Sequence, residues 1–134
     1  MTVSTTPPQA VKPEVRVEVG ASAENIVVLS GLMREVDPGS WFLPLIDEVH
    51  GKLVAARVSN IVVDIRKLTY SNAAGWKCFV YWMKKMQEDE RATYRMCILC
   101  EETLGWQQVG MSALRIFGGD RLLLKVYNGD KRIR

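Results

Sequence analysis

Few residues of this chain combine a reactive side chain with a spacing that chemistry could use. The sole histidine, His50, has no second histidine to share a metal and no nucleophile near it in sequence, so a partly exposed surface residue is expected rather than a base or ligand. Cys97 and Cys100 form a C-x-x-C inside the β-prone run Arg95-Met96-Cys97-Ile98-Leu99-Cys100, where residues three apart point to opposite faces of a strand. Redox pairs of that spacing sit at helix starts and structural zinc wants two more ligands, so neither use is expected. Asp47, Glu48 and Asp64 have no base or metal cluster beside them and are read as solvated or capping carboxylates. There is no glycine-rich phosphate loop and no G-x-S-x-G elbow. Two hydroxyls remain, Thr69 and Ser71, in Leu68-Thr69-Tyr70-Ser71-Asn72-Ala73-Ala74-Gly75-Trp76, where a strand pattern gives way to a helix pattern. The expectation is a domain that is not an enzyme, needs no cofactor or metal, and carries its information around residues 68–76.

The rest of the chain must position that segment. Its 134 residues suit one domain, and 48% hydrophobic with 25% charged residues is a globular balance. Lys and Arg number 18 against 15 Asp and Glu, a net charge of +3 without a long basic stripe, which does not indicate nucleic-acid binding. No apolar run reaches membrane-spanning length and the N-terminus lacks signal-peptide features, so no membrane role and a cytoplasmic location are expected. Residues 1–13, with three of the five prolines, are read as a flexible tail, 14–128 as the domain and 129–134 as a basic C-terminal tail.

Within the domain, Glu14–Val19 alternates polar and apolar, and a second β-type run, Asn25–Ser30, follows a turn at 20–23, predicting a hairpin. Asp37-Pro38-Gly39-Ser40 starts a helix, with Asp37 or Ser40 as cap, and Phe42, Leu45, Ile46, Val49 and Leu53 form its apolar stripe. Ile61–Ile65 is almost wholly apolar, predicting a central strand covered on both faces. Asn72 caps a second helix carrying Trp76, Phe79, Val80, Met83 and Met86 on one side. Trp76 and Trp82, six apart, cannot share that stripe; either Trp82 joins Tyr81 in an exposed aromatic surface, or loops cover both tryptophans. Residues 95–100 predict another buried strand, and about Leu104 to Phe117 a third helix with Trp106, Val109, Leu114 and Phe117 inward. Arg121–Tyr127 completes the order β-β-α-β-α-β-α-β, an α/β fold with a mixed, mostly parallel sheet of about five strands and three or more helices.

Residues 61–76 resemble the hallmark of the STAS domain family, which includes bacterial anti-sigma factor antagonists: a strand ending in Asp, a spacer, an apolar residue, and Asp-Ser-Ser-Gly at a helix start. Counted from Asp64, Asn72 falls on the family's Asp, Ala73 and Ala74 on its serines, and Gly75 on its glycine. The element order is also similar to the family's from about Glu14 to Tyr127. The resemblance implies a STAS-like protein-interaction module of a bacterial partner-switching pathway. Its partner would be a serine kinase or other anti-sigma-like protein, a phosphatase or a histidine-kinase module, docked through the loop 68–75 and the helix after it. It implies Ser71, Asn72, Ala73, Ala74, Gly75 and Trp76 as partner-binding residues. Phosphate at the family's serine puts about two negative charges into such a surface and ejects the partner. Alanine at 73 and 74 cannot carry it, which leaves Ser71 as the candidate phosphoacceptor or, alternatively, as a hydrogen-bonding support of the loop. Asn72 is most simply a helix cap, and Gly75 permits a close approach of the helix either to the sheet or to a partner. Two other readings are a self-associating scaffold, a homodimer through an edge strand such as Glu14–Val19, and a small ligand-binding α/β domain.

Overall fold

The structure is a computed structural model that describes residues 15–20 and 25–133. The segment 1–13 and the turn residues 21–23 lie outside the described residues. Alternation in the first two runs produces the expected hairpin: β1 (Val15–Val19) pairs antiparallel with β2 (Ile26–Met33), Val17 opposite Leu29. There follow α1 (Gly39–Ala56), β3 (Asn60–Ser71), α2 (Ala73–Glu88), β4 (Arg95–Glu101), α3 (Gly105–Gly118), β5 (Leu122–Asn128) and β6 (Lys131–Arg132). The strands form one mixed sheet in sequence order, parallel from β2 to β5 and antiparallel at both ends. Among the described residues the sheet has six strands rather than about five, because Lys131 and Arg132, read from sequence as part of a basic tail, pair with Asn128 and Tyr127.

One core joins alternate residues of β1 to β5 with all three helices, including Val17, Leu29, Val63, Ile98 and Val126 from the sheet. The α1 stripe is buried as its spacing predicts. Its start differs: Pro38 holds the N-cap position at φ −68°, and the Ser40 hydroxyl donates to Asp37 O at 3.0 Å instead of capping. The expected cover on both faces of β3 is also corrected. Ile61, Val63 and Ile65 are buried, while Val62 and Asp64 on the other face are half-buried, as are Cys97 and Leu99 beside them in register. Leu123 on β5 is 51% exposed. An apolar run does not require two covering layers, because neighbouring side chains on a sheet shield one another. Among the described residues no helix is long and apolar enough to cross a membrane.

The inward face of α3 is Gln107, Met111, Leu114 and Gly118. Leu114 is thus buried as expected, Trp106 and Phe117 are half-buried, and Val109 is 75% exposed. A glutamine on the buried stripe breaks its apolar pattern, which is why the sequence places the helix in the wrong phase.

His50 reverses its expectation. It is 2% exposed, with Nδ1 2.7 Å from the Tyr94 hydroxyl and Nε2 2.8 Å from Asp89 Oδ2. Trp82, buried rather than part of an aromatic surface, donates its indole N–H to the same hydroxyl at 2.9 Å. An imidazole protonated at Nε2 satisfies every atom: Trp82 donates to Tyr94, Tyr94 to His50, and His50 to Asp89. The Asp89 carboxyl is held well below the usual carboxylate range, first by the Arg91 guanidinium and then by His50. This chain of groups ties the C-terminal part of α2 to α1 and to the entry of β4, at the end of the sheet opposite residues 68–75.

Candidate functional site

The segment 68–75 is shaped by two irregularities in β3. Asp64 pairs with Val28 but Lys67 with Ser30, and Leu68 pairs with Gly31 but Tyr70 with Leu32, so β3 carries an extra residue at each step. Pairing with β4 ends at Asp64–Leu99, leaving the last turn of β3 with a neighbour on one side only. Gln107 takes the place of the missing strand. Fully buried, it donates through Nε2 to Ile65 O at 2.6 Å and Leu68 O at 2.9 Å, and accepts from Glu101 N at 2.8 Å. The bulges turn Ile65 and Leu68 inward and leave Thr69 and Tyr70 on the surface, Tyr70 45% exposed.

Asn72 is the N-cap of α2, and each of its hydrogen-bonding groups is engaged within the fold. Its Oδ1 accepts from Gly75 N at 2.8 Å, its Nδ2 donates to Glu35 O at 2.8 Å, its N–H donates to Met33 O at 2.9 Å and its C=O accepts from Trp76 N at 3.1 Å. Gly75 is buried against β2 and β3. A Cβ there would collide with Met33 Sδ, stand 2.5 Å from Ser71 Oγ and lie 2.9 Å from Met33 Cγ. Of its two close-approach readings, the structure shows helix against sheet. Ser71, half-buried, fills that crevice, its hydroxyl donating to Asn72 O at 3.1 Å. Thr69 is exposed and donates to Gly31 O at 3.1 Å.

Gly75→Ala is expected to lower the free energy of unfolding by about 1–2 kcal/mol, since the new methyl group must displace buried Met33 and a short serine side chain. Urea denaturation measures it; a variant as stable as the parent would show that Met33 moves aside freely.

Trp76 is half-buried on α2, donates to Gly110 O at 2.8 Å and meets Phe117 edge to face at 6.3 Å. Trp106, at the start of α3, is half-buried and donates to Thr69 O at 3.0 Å. The expected site residues therefore separate into two groups. Ser71, Asn72 and Gly75 hold α2 to the sheet, while Ala73 is exposed and Ala74 and Trp76 are half-buried. Tyr70, within the expected loop, is exposed, and Trp106, expected inward, is half-buried with its indole on the Thr69 carbonyl. Burial raises the thiol pKa of Cys78 to about 11, that of Cys100 to about 12, and that of Cys97 to a lesser degree. At neutral pH that holds all three in the less reactive thiol form.

A depression on the open face, of about 310 Å³, is lined by Asp64, Arg66, Lys67 and Glu101 among others. Its guanidinium is already held in a fork by Asp64, at 3.0 and 2.8 Å, and lies 4.6 Å over the Tyr127 ring. The chain matches no protein-family model, no curated protein and no solved structure. The six-stranded α/β arrangement is consistent with a STAS-like fold.

Proposed function

We propose that this chain is a non-catalytic interaction module of a bacterial partner-switching pathway, docking a regulatory kinase, phosphatase or anti-sigma-like protein at the carboxyl end of β3 and the start of α2. One observation carries the reading: Tyr70 and Ala73 are exposed and Trp106 of α3 is tied to the Thr69 carbonyl next to Tyr70 in sequence, while Asn72, Gly75 and Gln107 hold the backbone of this segment. A fixed backbone that offers aromatic side chains with small neighbours suits an interface anchor, because little conformational entropy is lost on binding. The element order and residues 64–75 supply the likeness to STAS domains. With alanine at 73 and 74, the first turn of α2 has no hydroxyl to phosphorylate, so the module stays in its binding form.

The test is quantitative affinity capture from native cells with the wild-type chain, Ala73→Glu and Tyr70→Ala. A carboxylate at 73 imitates the charge of a phosphorylated switch and sits on an exposed position, so the fold should survive it. Recovery of a regulatory kinase, phosphatase or anti-sigma-like protein is expected to fall at least about tenfold in Ala73→Glu. Recovery of such a partner unchanged in both variants would remove this surface from the interaction. Absence of any such partner would remove the proposed function.

A further inference from the structure

The solvent side of α3 runs against the pattern of a surface helix. A helix that buries one face in a core normally turns charged and polar residues to water on the other. In α3 the inward residues are Gln107, Met111, Leu114 and Gly118, and the opposite side carries Gly105, Val109, Ala113 and Ile116. Val109 is 75% and Ile116 82% exposed, and neither belongs to the core. With half-buried Ala113 and Phe117 alongside, they form one contiguous apolar strip, the mark of an interaction surface.

α2 lies beside this strip. Trp76 donates to Gly110 O and meets Phe117, and a Cβ on Gly118 would stand 2.9 Å from Met83 Sδ. Each helix connects two parallel strands, so the two run in the same direction. The flank of α2 next to α3 carries Lys77, Val80 and Lys84; Lys84 Nζ lies 5.8 Å from the Phe117 ring, which sets that row against α3. Lys77 and Lys84 are exposed, and among the described residues neither enters an ion pair. The two helices together hold Lys77, Lys84, Lys85 and Arg115 against a single acid, Glu88, at the last position of α2. Two rows therefore run side by side with one repeat, lysine at 77 and 84 and branched apolar residues at 109 and 116, each pair about 10 Å apart along its axis. The floor between them holds half-buried Val80, Gly110 and Ala113.

We propose that the furrow between α2 and α3 docks an acidic amphipathic helix of a partner protein. The apolar stripe of that helix lies on Val80, Val109 and Ile116, and carboxylates two turns apart on one flank meet Lys77 and Lys84. Charge selects the occupant: a second copy of this chain brings its own lysines against these two, whereas an acidic helix pairs with both. The floor favours a helix over a lipid surface, because glycine and alanine let a second backbone approach closely but give an acyl chain little to hold. The furrow uses neither Tyr70 nor Ala73, so it stands or falls separately from the function proposed above.

The probes are three synthetic helical peptides of about 18 residues with the same leucine face, flanked by glutamate, by glutamine or by lysine. Each is titrated to about 1 mM into the isotope-labelled full-length chain while backbone amide shifts are followed. Shifts are expected within 77–84 and 109–117, with the glutamate peptide binding at least about tenfold more tightly than the lysine peptide. Ile116→Glu, at an exposed position, should weaken the glutamate peptide at least about tenfold. Lys77→Glu combined with Lys84→Glu should invert the order, so that the lysine peptide binds best. An absence of shifts with the glutamate peptide, shifts confined to other elements, equal affinity for all three peptides, or binding untouched by Ile116→Glu each overturns the proposal. Vesicles of phosphatidylserine and phosphatidylcholine that shift 77–84 and 109–117 where the glutamate peptide does not would assign the strip to a lipid surface, and overturn it as well.

Discussion

Gln107→Leu should cost this protein about 3–5 kcal/mol of stability, a large fraction of what a domain of its size possesses. The exchange nearly preserves volume, so the loss is one of hydrogen bonding. Two buried carbonyls, Ile65 O and Leu68 O, and one part-buried N–H, that of Glu101, lose their partner at once. No neighbouring strand on that side replaces the amide, since pairing with β4 stops at Asp64. The end of β3 positions Thr69 and Tyr70, so partner capture should fall together with stability. Chemical denaturation checks the first effect. A loss below about 0.5 kcal/mol would mean that water enters and replaces the amide.

Tyr94→Phe is expected to cost about 2–4 kcal/mol through the same mechanism at the opposite end of the sheet. The ring fits unchanged, but the Trp82 indole N–H and His50 Nδ1 both lose the hydroxyl that serves them. His50 then adds little further damage: the Tyr94→Phe, His50→Leu double variant should lie within about 1 kcal/mol of the single Tyr94→Phe. Tyr94 also has a pH signature. Burial pushes its hydroxyl up to about 12, above the roughly 10 of an exposed tyrosine. A folded-state pKa above the unfolded value contributes stability that is complete below the unfolded pKa and is lost as pH rises through the folded one. Thermal melts of the wild type should therefore fall above about pH 10, and Tyr94→Phe should lack that part of the decline. An identical alkaline limb in both proteins would assign it to the other tyrosines or the lysines.

Much of the fold was legible because it rests on local periodicity. The stripe Phe42, Leu45, Ile46, Val49 and Leu53 faces the core as its spacing demands, and period two in Val15–Val19 produces an edge strand on a hairpin. Asn72 is legible as a cap because the bond to the third helical N–H lies within four residues. Cys97 and Cys100 fall on opposite faces, half-buried and buried, for the same local reason.

What went unread depends on groups distant in sequence. His50 looked exposed because its partners, Tyr94 and Asp89, are 44 and 39 residues away. Nothing local signals that a hydroxyl and a carboxylate will meet the two ring nitrogens. Gln107 could not be placed inward from sequence, because a buried amide is stable only where carbonyls await it, and those become available only where the pairing of β3 with β4 has ended at Asp64. Past that point Tyr70 reaches the surface and Trp106 meets Thr69 O, while Gly75 and Ser71 close behind them. Local patterning was enough for the order of elements, the buried stripe of α1 and the cap at the start of α2, since each depends on neighbours within a turn or two. Tertiary structure alone decided which of residues 68–76 support the site and which it presents, because that choice follows from strand register and from hydrogen bonds across more than thirty residues.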